Sequence, residues 1–454
     1  MKPFRRRSLL AAGFSAILSV QHVLAIQLDL QSTDSIKAAA KTLAGDMVSY
    51  YTGYRPGDVP GNLPSPYYWW EAGAMFGALV DYWYFTGDDT YNAITTQALL
   101  HQVGPDKDFM PPNQTKTEGN DDQAFWAMAA LSAAENKFPD PPEDQPQWLA
   151  LAQAVFNTQA ARWDTTSCGG GLKWQIFAFN TGYNYKNTIS NGCFFNMASR
   201  LAVYTGNQTY ADWAVRMWDW CSAIGLRDAQ YNFFDGSDDN LNCSQLDHIQ
   251  WTYNAGTFLV GAANMYNFTG GSQEWADRLN GIIGNLKLFL KNNVVYEQAC
   301  EPVGTCNVDQ RSFKAYLARW MAATAVKAPF TYSLLKPILE ASATAAAAVC
   351  TGGVNGTSCG LKWTEGTFDG SIGVGEQMSA LEVIQSNLID IVSGPVSQDS
   401  GGTSKGDPNA GTSSDIGPSD LNVGEVTTAD KAGAAILTVL LIFFVAGGAW
   451  WMVT

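Results

Sequence analysis

Two patterns of apolar spacing alternate along this chain. In Glu71–Tyr84, Asp122–Ala134, Gly192–Tyr204, Ala255–Tyr266, Phe313–Thr324 and Glu376–Asn387 almost every position is apolar or small, with polar residues gathered at the start. In Ser32–Tyr51, Thr90–Val103, Gln147–Trp163, Tyr210–Ile224, Gln273–Lys291 and Tyr332–Val349 apolar residues recur at helical spacing and leave one polar face. A helix that is apolar all round must be buried, and an amphipathic one covers it from outside. The alternation therefore predicts six inner and six outer helices, an all-α toroid of two concentric rings. An open helical solenoid is the alternative, disfavoured because the long loops fall between helix pairs.

The pairs are joined by a recurring turn. Tyr84-Phe85-Thr86-Gly87-Asp88-Asp89-Thr90-Tyr91 returns as Tyr204-Thr205-Gly206-Asn207-Gln208-Thr209-Tyr210, and more loosely from Phe268 to Trp275. Gly supplies a left-handed helix stop, and Asp, Asn or Ser caps the helix that follows. Each turn thus makes a tight antiparallel pair.

Polar side chains at the starts of the inner helices bear on chemistry: Glu71, Asp121, Asp122, Asn191, Asn254, Lys314, Glu376 and Gln377. If the ring closes, these N-termini converge on one face. Capping explains any one of them alone, since helix N-termini present unpaired N–H groups. The pair Asp121-Asp122 stands out because it opens a buried helix. Asp88-Asp89 falls in a turn where capping accounts for it, and Asp238-Asp239 in a polar loop where solvation does. At Asp121-Asp122, repulsion and burial oppose the helix dipole, and one ionised with one protonated carboxyl is the expected outcome. Glycosidases need that combination.

The chain ends and composition place this chemistry outside the cell. A basic stretch from Lys2 to Arg7, an apolar run from Leu9 to Val20 and Val23-Leu24-Ala25 read as a signal peptide over residues 1–25. At the other end a Gly/Ser/Thr-rich spacer over 393–431 leads to an apolar tail, 432–454. This suits a glycosylphosphatidylinositol (GPI) attachment signal with Asn422 as attachment residue and Ser413, Ser414 or Ser419 as alternatives, a single membrane span being the rival reading of the tail. Residues 26–392 would form the folded domain. Loss of Lys2, Arg5, Arg6 and Arg7, four cations and no acid, moves the formal charge from -15 to -19, which disfavours nucleic acid as partner. Eight cysteines, all between Cys168 and Cys359, are expected to pair, with Cys300–Cys306 and Cys350–Cys359 the easiest loops to close. Sequential pairing would add Cys168–Cys193 and Cys221–Cys243. Sequons at Asn113, Asn207, Asn242, Asn267 and Asn355 predict surface glycans. His101 and His248 are the only histidines after residue 25, which argues against histidine-based triads and metal sites, and no cofactor is expected.

Tyr67-Tyr68-Trp69-Trp70-Glu71-Ala72-Gly73, Gly119-Asn120-Asp121-Asp122-Gln123-Ala124-Phe125-Trp126, Cys168-Gly169-Gly170-Gly171-Leu172-Lys173-Trp174, Lys186-Asn187-Thr188-Ile189-Ser190-Asn191-Gly192 and Gln250-Trp251-Thr252-Tyr253-Asn254 together resemble glycoside hydrolase family seventy-six, in particular its fungal GPI-anchored cell-wall mannosidases. The resemblance spans about Ile26 to Leu388. It implies an (α/α)6 barrel and a retaining endo-α-1,6-mannosidase with Asp121 as nucleophile and Asp122 as acid/base. It also implies a transfer role, in which the mannose-containing glycan of a GPI anchor is the donor and wall polysaccharide the acceptor. Expected sugar contacts are Trp70, Glu71, Asn120, Lys186, Asn187, Asn191, Gln250, Trp251, Tyr253, Asn254 and Lys314. Two rivals are a catalytically inactive wall-anchored lectin or scaffold and a lyase of acidic polysaccharides. The intact aspartate pair speaks against the first, and the acidic charge against the second.

Overall fold

A computed structural model describes residues 26–412 and 428–453. The expected signal peptide, Asn422 and the alternative serines lie outside the described residues. Twelve helices form the domain: α1 (Thr33–Val48), α2 (Trp69–Thr86), α3 (Asn92–His101), α4 (Asn120–Glu135), α5 (Trp148–Ala161), α6 (Thr188–Thr205), α7 (Gln208–Ala223), α8 (Thr252–Phe268), α9 (Gln273–Asn285), α10 (Phe313–Lys327), α11 (Tyr332–Ala348) and α12 (Val374–Gln385). The even-numbered helices pack in the order α2, α4, α6, α8, α10, α12 and back to α2, so the inner ring closes. Closure decides for the barrel over the solenoid. The glycine stops are as the turn pattern demands: Gly87 (φ 76°) ends α2 and Gly206 (φ 68°) ends α6.

Small residues let the inner helices approach. A Cβ added to Gly73 would stand 2.8 Å from the Trp126 ring, too close for the neighbouring helix to keep its position. At the base of the barrel, where the inner helices end, buried ion pairs join them: Arg319 with Asp81 (2.9 Å) and Glu382 (2.6 Å), and Arg200 with Glu135 (2.8 Å).

Long loops occupy the opposite face. A small sheet of β1 (Tyr185–Asn187), β2 (Gly236–Asp238) and β3 (Leu246–Asp247) ties the loop before α6 to the loop before α8. This pairing brings Cys168 to Cys243, which form a disulfide with Cα atoms 5.5 Å apart. Sequential pairing is therefore corrected. Cys193 and Cys221 are free and buried on α6 and α7, where each packs as a small apolar side chain. Cys300–Cys306 and Cys350–Cys359 are bonded. The outer helix expected to run to Lys291 stops at Asn285, because Asn292 and Asn293 adopt positive φ and turn the hairpin of β4 (Leu290–Lys291) and β5 (Val294–Val295). Asp239 also departs from expectation. It is buried and ion-paired with Lys173 rather than solvated.

The segment expected to begin a free spacer at 393 is instead a strap over the domain. Val396 N–H donates to Glu135 O at 2.8 Å, and Ser404 Oγ accepts from Leu149 N–H at 3.0 Å, satisfying one of the unpaired donors that open α5. Asp407 N–H meets Gln153 Oε1, and the Asn157 amide donates to Pro408 O and Ala410 O. Beyond it, Thr428–Val453 forms α13. A chain ending at residue 412 should therefore melt with the full domain, whereas one ending at 392 should melt on the order of 5 °C lower. Thermal unfolding of the two truncated chains checks this, and equal Tm values would show that the strap adds nothing.

Candidate active site

Inner-ring closure places the starts of α2, α4, α6, α8, α10 and α12 around one mouth, where a cleft of two adjoining lobes opens. One lobe, of about 200 Å³, is lined by Asp121, Phe125, Tyr185, Asn187, Asp235, Tyr253 and Phe313. The other, of about 380 Å³, is lined by Tyr68, Trp69, Gln114, Thr117, Glu118 and Gln175. Trp70, Asp122, Trp174 and Asp309 line both. Asp122 therefore stands at the junction, with Asp121 facing the smaller lobe.

Local sequence fixes the two carboxyls differently. Asp122 Oδ2 accepts from the Gly119 N–H at 2.7 Å, so one oxygen serves as a helix cap. Asp121 Oδ1 accepts from Ser190 Oγ at 3.2 Å, a contact supplied by the first turn of α6. Gly119 has no room for a side chain, since a Cβ there would lie 2.4 Å from Asp121 Oδ1. Burial raises the Asp121 pKa to about 7, against hydrogen bonds that lower it. Asp122 is pushed well above its ordinary value by burial and then by the charge of Asp121. The two groups titrate as a pair.

Two more carboxyls flank the pair, each oriented by an indole. Trp70 Nε1–H donates to Asp309 Oδ1 at 3.1 Å, and Trp251 Nε1–H to Asp235 Oδ1 at 2.9 Å. Tyr185 OH donates to Asp235 Oδ2 at 2.7 Å. Burial raises the pKa of both acids. Around them stand ring faces of the kind that pack on the C–H side of a sugar, with Tyr253 stacked on Phe313 at 3.8 Å and Trp70 tilted on Phe125 at 4.8 Å. Among the described residues no group of three or more His, Cys, Asp or Glu side chains is arranged to hold a metal ion.

Of the expected sugar contacts, Trp70, Asn187 and Tyr253 line the cleft beside the aspartates. Most of the others are occupied elsewhere. Lys186 is fully buried, donating to Asp164 O, Ser167 O and Gly170 O and ion-paired with Asp164. Lys314 is buried too, held by Leu361 O and Glu301. Asn191 clasps the backbone of Leu172, and Asn120 bonds Lys173 O while accepting from Arg162. Gln250 accepts from Phe233 N–H and Trp251 orients Asp235, whereas Glu71 and Asn254 are buried outside the lining of both lobes, their side-chain polar atoms without a hydrogen-bond partner among the described residues. For Lys186, Lys314, Asn191, Asn120 and Gln250 the correction has one physical cause: polar groups at or near inner-helix starts tie down the long loops. Asp235, Asp309, Tyr185, Glu118 and Gln175 were not foreseen. Tyr185 opens β1 and the others come from loops, where only the tertiary fold brings residues together.

Residues 35–399 match Glycosyl hydrolase family 76. The chain belongs to that family. It is a glycoside hydrolase, and its fold is the family's (α/α)6 barrel. It is 47% identical over 431 residues to the mannan endo-1,6-alpha-mannosidase DCW1 of Saccharomyces cerevisiae, covering 94% of this chain and 95% of the relative. It is 46% identical to DFG5 of the same yeast, covering 98% of each. Dfg5 from Chaetomium thermophilum, solved in complex with glucosamine, superposes with a TM-score of 0.83 at 46% identity, covering 86% of this chain and 99% of that one. An inactive variant of an α-1,6-mannanase from Salegentibacter, solved with α-1,6-mannotriose, shares the fold at 17% identity and a TM-score of 0.63, covering 78% of this chain and 99% of that one.

Buried carboxyls at the site and elsewhere in the domain predict an unusual stability profile. Folded pKa values are raised for Asp108 (about 6), Asp121 (about 7) and Glu297 (about 8), and well raised for Glu71, Glu118 and Asp122. The unfolded values are near 4. Between those limits the folded chain holds more protons than the unfolded one, so stability falls as pH rises. Tm should therefore drop from about pH 5 to pH 8. A flat or rising profile across that window would contradict the burial of these acids.

Proposed function

We propose that this chain is a retaining endo-α-1,6-mannosidase that also transfers the cleaved mannosyl group to a second sugar. The observation that carries the reading is the position of the aspartate pair, Asp121 in the smaller lobe and Asp122 where the lobes meet. The named activity of the yeast relatives supports the substrate class. Asp121, which faces the smaller lobe and accepts from the Ser190 hydroxyl, attacks the anomeric carbon through its carboxylate. Asp122, still protonated, delivers its proton to the departing glycosidic oxygen, leaving a covalent mannosyl ester and a free hydroxyl on the leaving sugar. Asp122, now ionised, takes a proton from an entering hydroxyl, whose oxygen displaces Asp121 and restores the first state. Neighbouring residues on one helix turn suit the ~5–5.5 Å carboxyl spacing of retaining enzymes rather than the wider spacing that admits a water.

The second lobe supports transfer. Its aromatic and amide lining, Tyr68, Trp69, Gln114 and Gln175, suits a sugar as the incoming hydroxyl. The donor we propose is the mannose-containing glycan of GPI anchors, with cell-wall polysaccharide as acceptor, in fungal wall biogenesis. Five carboxyls lining the cleft, Asp121, Asp122, Asp235, Asp309 and Glu118, suit a protonated amino sugar, and glucosamine is what the Chaetomium relative holds. A GPI anchor at the outer face of the plasma membrane would put the enzyme beside both partners. Phosphatidylinositol-specific phospholipase C should release the mature protein from membranes. Resistance, with the α13 peptide still present in the protein, would mean a membrane span instead.

Asp121→Asn and Asp122→Asn should each lower kcat on an α-1,6-mannooligosaccharide by at least about 10³-fold, with the fold and Tm retained. The first-formed product should be the α-anomer by NMR, and adding oligosaccharide acceptor should divert it into a longer product. Near wild-type rates in either variant would remove the mechanism, and a β-anomer would remove the double displacement.

A further inference from the structure

Beneath the aspartate turn lies a side chain from the outer ring. Arg162, the residue that ends α5, reaches inward to the first turn of α4. Its Nη1 donates to Asn120 Oδ1 at 2.7 Å and to Gln123 Oε1 at 2.8 Å, and Nη2 meets the Met110 sulfur at 3.1 Å. Asn120 and Gln123 are the residues on either side of Asp121-Asp122. A turn earlier on α5, Gln159 donates to Asn120 O at 2.6 Å. The turn that carries the pair is thus gripped from behind on both flanks.

The placement is electrostatically costly. A helix start carries positive partial charge and ordinarily gathers acids, and burial holds the guanidinium down to about 10. Asp108 and Glu118, both buried, lie close enough to offset its charge. A Ser or Thr cap would hold a helix start without a desolvated cation. What a guanidinium adds is reach and direction, with several donors fixed in one plane.

We propose that Arg162 is a positioning residue for glycosidic cleavage. It sets the rotation of the first turn of α4 through Asn120 and Gln123, and so aims Asp121 at the smaller lobe and Asp122 at the junction. This rests on the catalytic reading of the two aspartates. A turn free to rotate would carry both carboxyls off their contacts with Ser190 and Gly119, and a misplacement of about 1 Å can cost on the order of 10²-fold in rate.

The test is steady-state kinetics of Arg162→Met and Arg162→Lys on an α-1,6-mannooligosaccharide, well below Tm. Arg162→Met should lose about 10- to 100-fold in kcat with KM within about twofold, and Arg162→Lys should recover part of the loss. In a cycle with Asn120→Ala, the double variant should lose no more than the worse single, because both act through one grip. Arg200→Met, which removes a buried cation at the base, should lower Tm without lowering kcat. A kcat within twofold in folded Arg162→Met, losses that multiply in the cycle, or an equal kcat loss in Arg200→Met would overturn the proposal. Should Arg162→Met fail to fold, Gln123→Met carries the same expectation and the same refutation. Active Asp121→Asn and Asp122→Asn variants would instead defeat the catalytic reading itself.

Discussion

Closure of the inner ring is the constraint on which everything else depends. Six helices apolar on all sides can be buried only by one another and by an outer layer, and a closed ring of antiparallel pairs sends all six inner N-termini to one end. That end then holds unpaired N–H groups, polar first-turn residues and the long loops. The other end holds short turns and the buried pairs of Arg319 and Arg200. The base locks the ring together, and the mouth is left free to carry chemistry.

Burial at that mouth does the chemical sorting. Asp121 and Asp122 are adjacent and of one residue type, yet Asp121 receives hydrogen bonds that lower its pKa while Asp122 feels the charge of Asp121. Two like groups so close cannot ionise together, and their unequal surroundings determine which ionises first. Asp235 and Asp309, pinned by indole N–H groups, extend the acidic lining without joining the pair. The stabilising side of folding, apolar burial, is thus what raises the carboxyl pKa values toward those that glycosidic chemistry needs.

The sequence was most informative where one local rule decides the outcome. Helical periodicity, the glycine stops at Gly87 and Gly206, and an acid pair opening a buried helix are all local, and fold and aspartates were legible from them. Reading polar inner-helix starts as sugar contacts picked out Asn187, which lines the cleft, but also Lys186, Asn191 and Lys314, whose donors and acceptors are consumed by the backbone of neighbouring loops. Asp235 and Asp309 carried no local signal, because their role arises only when loops far apart in sequence meet. The strap was missed for a related reason. Its Gly/Ser/Thr composition suits a free spacer, and only the unpaired donors at the start of α5 and the Gln153 and Asn157 side chains give it a place to bind.

The central claim is that Asp121 forms a covalent bond to the sugar while Asp122 moves the proton. The most direct measurement is peptide mass spectrometry of the enzyme after reaction with a 2-deoxy-2-fluoro-mannosyl fluoride, which slows breakdown of the glycosyl-enzyme more than its formation. The account predicts one added fluoromannosyl group, carried on Asp121. A label on Asp122, Asp235 or Asp309, or turnover of the reagent with no covalent adduct, would contradict it.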